Sequence, residues 1–442
     1  MGYFITEEIE SKNNLERIFK IFLFVTFSLI VFSAYVTGSF AKAGYWYNIN
    51  IFSKYFSLPL FFYAFLVCIH LPYRAILWFC YKPYKLKDYF PKISVIIPTY
   101  NEGEMVSKAL LSCVNSDYPE SKLEIICIDD GSTDDTWSHI QKIQQQYPLL
   151  ITAIKSRRNK GKRNALAIGF RKSMGEILVT MDSDSIADEK AFKAIVAPFV
   201  DKKIGAVTAK VKVFNKDENF LTRMLGVRYT MAFEFFRAST SVFKTVMCCS
   251  GVLSAYRKSV IMKFLNEWLY QEFMGQVCTY GDDRSLTNFV IRKGFYTVYQ
   301  RNSVVYTLVP NNLKKLAKML TRWHKSFIRE GIIFSSFMFT RYRKKNRFLP
   351  AFDFCLTTIL MLFQFYVFFF SLYYITIDPI LILRFFSLIV IMGLVYMLFY
   401  IRFEKNSDFV YGIIYAFLHV FFLMWTIPYA FITFKNNSWL TR

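Results

Sequence analysis

Apolar residues crowd into three stretches of the chain, 18–41, 55–81 and 348–434, whereas 90–330 alternates apolar and polar positions as a water-soluble domain does. A helix needs about 20 consecutive apolar residues to cross a bilayer, because no water is there to satisfy a broken backbone. The pattern predicts spans at Phe19–Ala41, Tyr55–Tyr73, Phe348–Ile375, Ile380–Ile401 and Phe409–Phe434. Pro59 and Pro72 are expected to kink the second, and Pro428 to break the last. The first run follows a polar, acidic stretch and has no small-residue cleavage site, so it reads as a span and not as a signal peptide.

Within the soluble stretch, short apolar runs at Ile93–Pro98, Leu123–Asp130, Leu149–Lys155 and Ile177–Asp182 read as strands. Met105–Asn115, Thr133–Gln145 and Lys162–Ser173 read as the helices between them. Strand and helix in alternation predict an α/β domain with a parallel sheet covered on both faces, its ligands at the carboxyl ends of the strands. Leu313–Glu330 reads as an amphipathic helix lying in the membrane interface. The chain therefore divides into a leader with two spans (1–89), the soluble domain (90–310), an interfacial segment (311–347) and a C-terminal membrane region (348–442).

Charge adds orientation. The formal net charge is +23, and much of it flanks the spans. Arg74, Lys82, Lys85 and Lys87 follow the second; Arg341, Arg343, Lys344, Lys345 and Arg347 precede the third. By the positive-inside rule the soluble domain is cytosolic, in an integral plasma-membrane protein surrounded by lipid. Three full C-terminal crossings would leave the terminus outside, unless the break at Pro428 makes the last segment re-enter. The spans argue against nucleic acid as the partner of this charge. The eight cysteines show no paired metal-ligand spacing, and His70, His139, His324 and His419 are too scattered for a zinc site.

Candidate chemistry sits at the predicted strand ends. Asp130, before Gly131, can accept hydrogen bonds from a nucleotide base or ribose, although Asp-Gly is also a common turn. Asp182-Ser183-Asp184 can grip a divalent cation that bridges a diphosphate, or simply cap a helix. Lys155–Arg163 carries six cations in nine residues just before a helix. Lys162 and Arg163 are its candidates for a diphosphate or a carboxylated sugar, against a solvated basic loop. In Gly281-Asp282-Asp283-Arg284, paired carboxylates suit general-base work with one oriented by a cation. Arg322-Trp323, on the amphipathic helix, can present an indole face to a sugar ring or anchor the helix in lipid.

In that order and spacing these motifs resemble the processive family-2 glycosyltransferases of GT-A fold: cellulose, chitin and hyaluronan synthases. Asn159–Arg163, Cys278–Asn288, Arg322–Glu330 and the tail Trp439-Leu440-Thr441-Arg442 look like hyaluronan synthases. The resemblance implies an α/β GT-A domain inserted between transmembrane helices and an inverting transfer. Asp283 would be the base beside Asp282 and Arg284, Asp184 and Asp182 would hold Mg²⁺ or Mn²⁺, and Asp130 would hold uridine. Lys162, Arg163, Asp182, Trp439 and Arg442 would bind the donor, and Arg322 and Trp323 the acceptor. Expected substrates are UDP-GlcNAc and UDP-glucuronic acid, polymerised and extruded; a chitin-type synthase using UDP-GlcNAc alone is the alternative. Two positions depart from the family pattern: Met319 stands where it has Gln, and Val252 where it has Pro.

Overall fold

The structure is a computed structural model that describes residues 51–434, apart from 87, 378 and 380. The predicted first span and the tail residues Trp439 and Arg442 lie outside the described residues. The described chain forms two compact units, residues 51–76 with Phe352–Phe422, and Leu77–Ala351 with residues 423–434.

The larger unit is built on a sheet. After helix α1 (Ile51–Cys80) come β1 (Ile93–Thr99), α2 (Met105–Val114), β2 (Leu123–Asp129), α3 (Thr136–Gln146), β3 (Ile151–Lys155), α4 (Lys162–Lys172) and β4 (Ile177–Met181). There follow β5 (Ser185–Ala187), α5 (Ala191–Val196), β6 (Ile204–Val213), α6 (Phe220–Met231), β7 (Leu253–Arg257) and α7 (Leu265–Leu269). A hairpin of β8 (Glu272–Phe273) and β9 (Gln276–Val277) leads into α8 (Asp282–Arg292), β10 (Tyr296–Thr307) and α9 (Leu313–Phe337). All seven residues of β1 are buried, as expected of a strand covered on both faces. Helix α2 buries Val106, Ala109, Leu110 and Cys113, one helical stripe.

The sheet order is β3-β2-β1-β4-β7-β6-β10-β5. Strands β1 to β4 pair in parallel, as predicted. The expectation of a wholly parallel sheet is corrected by β7, which runs antiparallel to both β4 and β6, and by β5, antiparallel to β10. Alternation of apolar residues carries no strand direction, so periodicity could not reveal this. The third strand starts at Ile151 instead of Leu149, which is fully exposed. Helix α3 starts at Thr136, whose hydroxyl accepts the N–H groups of Glu102 and Gly103. The parallel pairing brings the carboxyl ends of β1, β2 and β4 to one edge, with Asp130 and Asp182 just beyond.

In the smaller unit, α1 up to residue 76 packs with α10 (Phe348–Ile377), α11 (Leu381–Glu404) and α12 (Phe409–Leu418). Phe62 meets Phe363 edge-on, and Arg74 pairs with Asp353 at 2.6 Å. Among the described residues three helices are long and apolar enough to cross a membrane: Phe348–Ile377, Phe385–Glu404 and Phe409–Ile432. The expected second span lies within α1, whose apolar part, Phe65–Cys80, is shorter. The break expected at Pro428 falls earlier. Regular α-helical bonding gives way to a π-helix at His419–Leu423, and Pro428 sits in the first turn of α13 (Thr426–Ile432). There the N–H that proline lacks has no helical partner to lose.

Candidate active site

The loop after β2 is tied to the basic loop before α4. The buried Asp130 carboxylate accepts the Gly161 N–H at 2.7 Å and the Lys160 N–H at 3.1 Å. Burial pushes its pKa up, while these two donors pull it back. Gly131 adopts φ +77°, and a β-carbon there would lie 2.7 Å from the backbone of Arg158 and Asn159. Only glycine permits that approach. Asp130 thus sets the basic loop, and through it the start of α4.

From that start Lys162 reaches across to β4, where its ammonium pairs with Asp182. Burial opposes the Lys162 charge, but Asp182, with Asp283 and Asp282 further out, holds its pKa above that of an ordinary lysine. Gly251 closes over this pair; a β-carbon there would lie 3.2 Å from Lys162 Nζ and 3.3 Å from Asp182 Oδ1. Next along, burial and then the Asp182 charge push Asp184 up to about 6. Among the described residues no group of three or more His, Cys, Asp or Glu side chains could hold a metal ion. Asp184 and Asp182, the latter already paired with Lys162, are two carboxylates that could offer oxygens to a hard cation only if a diphosphate and water supplied its remaining ligands. The strained charge on Asp184 is what such a cation would relieve.

The paired carboxylates on α8 receive different environments. Gly281 precedes the helix at φ +72°, pressed so closely against Ser326 on α9 that a β-carbon would collide with its hydroxyl. Asp282 is buried and accepts from Arg163 Nε at 2.7 Å. Asp283 is only partly buried; its Oδ2 lies 3.3 Å from the Gly251 N–H and 3.5 Å from Cys248 Sγ. Arg284 turns its guanidinium to the Phe327 ring, 5.4 Å from the centroid.

Helix α9 completes the cluster. Burial lowers the pKa of Arg322, against the opposing pull of Asp283, Asp182 and Asp282. Trp323 is half-buried, with Arg228 of α6 5.5 Å over its ring and the Tyr229 ring at 6.2 Å. Met319 is buried. The fold therefore brings Lys162, Asp182, Asp184, Asp283 and Arg322 together. It places Arg163 with Asp282 in the interior and Trp323 beside α6. Arg228, Tyr229, Cys248 and Gln271 were missed from sequence, since none belongs to a motif; Gly251 was noticed only as a neighbour of Val252.

This chemistry can be set against known proteins. Residues 94–265 match the family Glycosyl transferase family 2. Hyaluronan synthase of Streptococcus pyogenes is 33% identical over 391 residues, covering 86% of this chain and 90% of the relative. An N-acetylglucosaminyltransferase of Azorhizobium caulinodans is 30% identical over 362 residues, covering 80% of this chain and 87% of that relative. In fold, the chain is similar to the mannosyltransferase PcManGT of Pyrobaculum calidifontis, solved with GDP-Man and Mn²⁺. The TM-score is 0.55 at 17% identity, over 85% of this chain and 98% of that one. The mixed sheet is that of a GT-A domain. The chain belongs to the family-2 glycosyltransferases, as an enzyme similar to hyaluronan synthases.

Proposed function

We propose that the enzyme is a processive, inverting β-glycosyltransferase that alternates UDP-GlcNAc and UDP-glucuronic acid to build hyaluronan. The soluble unit works on the cytosolic face, and the product leaves across the membrane. What carries the catalytic part is the contrast between the two carboxylates of α8. Asp282 is buried in an ion pair with Arg163. Asp283 is partly exposed, held among the described residues only by the N–H groups of Gly251 and Arg284 and the Cys248 thiol, in the field of Lys162 and Arg322. Asp283 takes the proton of the acceptor hydroxyl. The hydroxyl oxygen bonds to the anomeric carbon, and the bond to UDP breaks with its electron pair leaving on the diphosphate. Lys162 and Arg322 offer positive charge to that diphosphate. Mg²⁺ or Mn²⁺ held by Asp184 and Asp182 would neutralise further charge on the leaving group. Asp130 keeps the basic loop at the uridine end, Trp323 receives the acceptor sugar, and Trp439 and Arg442 contact the donor. Arg163 is better explained by its pairing with Asp282 than by a donor contact.

Similarity to the streptococcal hyaluronan synthase supports the two-sugar product, and similarity to the rhizobial N-acetylglucosaminyltransferase supports a UDP-GlcNAc-only rival. Membranes supplied with Mg²⁺ and single or paired UDP-sugars separate the two by UDP release. Turnover that needs both sugars and yields a hyaluronidase-sensitive polymer is expected. Turnover with UDP-GlcNAc alone and a chitinase-sensitive product would establish the rival.

A further inference from the structure

The Arg163 guanidinium is built into the interior, not toward the cluster of Lys162 and Asp182. Its Nε donates to Asp282 at 2.7 Å, its Nη1 donates to the Trp268 carbonyl at 2.9 Å and to Gln271 Oε1 at 3.3 Å, and it lies 5.0 Å over the Trp268 ring. Gln271 is itself held by the Ser285 hydroxyl at 2.6 Å, and its amide reaches Glu330 at 3.5 Å. Glu330 in turn accepts from Asn288 of α8 at 2.9 Å and from Arg329 of α9 at 2.8 Å. Asp282 and Arg163 are both nearly inaccessible, with 4% and 6% of their side-chain surface exposed. A guanidinium this deeply buried offers a diphosphate or sugar almost no surface, although its Nη2 has no hydrogen-bond partner among the described residues.

We infer that Arg163 is a positioning residue for the transfer step. By holding Asp282 inside the fold it leaves Asp283 alone to face the acceptor, and it fixes the first turn of α8 that aims Asp283. A carboxylate buried beside the base without its cation would either repel the ionised base or turn outward and share its proton. The same buried chain through Gln271 and Glu330 makes α8 and α9 one rigid support, so that Asp283 and Arg322 keep their spacing. The inference rests on the reading of Asp283 as the base.

The groups that face Asp283 are Asp282 and Arg284 on its own helix, Lys162 from α4, Arg322 from α9, Cys248 and Cys249 in the loop before β7, and Tyr256 of β7. In full-length enzyme in membranes, R163Q removes the cation that holds Asp282 and so frees that carboxylate beside Asp283. The acid limb of kcat/KM should move up by about one pH unit, with kcat lower by on the order of 10²-fold and donor KM little changed. R163K, which keeps a cation against Asp282, should recover most of the limb shift. D282N should move the limb the other way, and it serves where R163Q does not accumulate, because the amide still accepts from Arg163. A limb that stays in place in R163Q or D282N overturns the inference. So does a rise in donor KM alone, which would make Arg163 a donor ligand. If D283N retains transfer, the base reading falls instead, a result distinct from an unmoved limb in R163Q.

Discussion

The Tyr280 hydroxyl donates to the carbonyl of Phe434 at 3.0 Å, and the Phe273 ring lies 6.2 Å from that of Phe434. The chain thus arrives next to the residue that precedes Gly281-Asp282-Asp283. Trp439 is five residues further on, a reach of about 17 Å at full extension. Arg442→Ala is therefore expected to raise donor KM with kcat less affected, and Tyr280→Phe to do so more weakly. An unchanged donor KM in R442A would remove the tail from the donor site.

Asp283→Asn should abolish transfer while the donor still binds. Loss of a general base lowers rate by roughly 10²–10⁴-fold. UDP-sugar binding by titration should match the parent enzyme, because the variant keeps the Lys162–Asp182 pair. Retained UDP release on acceptor addition would move the base elsewhere.

Asp184 makes a stability prediction with a definite sign. Its pKa in the folded chain is raised to about 6, whereas an unfolded aspartate titrates near 4 (about 3.9). Stability associated with the group is complete below the lower value and is lost as pH rises through the higher one. In metal-free protein, Asp184→Asn should raise the thermal midpoint at pH 7.5 and leave it unchanged near pH 4. An equal gain at both pH values would contradict the assigned strain.

Gly281→Ala faces two costs. The left-handed backbone costs a β-carbon about 1–2 kcal/mol, and the new methyl collides with Ser326. Adding Ser326→Gly should relieve the collision and leave the backbone cost, so G281A/S326G falls between G281A and the parent in thermal midpoint. Full recovery would mean that the backbone conformation is not enforced.

In the smaller unit, Arg74 and Asp353 are buried together. Removing one partner of such a pair typically costs about 3–5 kcal/mol, whereas replacing both by apolar residues is often neutral. Arg74→Met alone should lower the thermal midpoint in detergent, and R74M/D353L should restore most of it. Equal losses in the single and double variants would show that the pair is not coupled.

Much of this protein was legible before any coordinates. Apolar runs of bilayer length marked the three described helices long and apolar enough to cross a membrane, and short continuous apolar runs located β1 to β4 with the helices between them, because both signals are local. Local spacing also put Asp130, Asp182 and Asp283 at strand and helix ends, where an α/β domain binds its ligands. Strand direction was not local: β7 lies antiparallel between β4 and β6 because of how the chain returns. Nor could the motifs say which carboxylate of Asp282-Asp283 is buried in an ion pair and which stays partly exposed. That was decided by Arg163, which lies 119 residues from Asp282 in sequence and 2.7 Å from it in space. A basic loop and an acidic motif each look solvent-facing when read alone. Folding buries one charge of each against the other, since an unpaired charge could not remain inside, while Lys162, paired with Asp182, and Asp283 stay at the site.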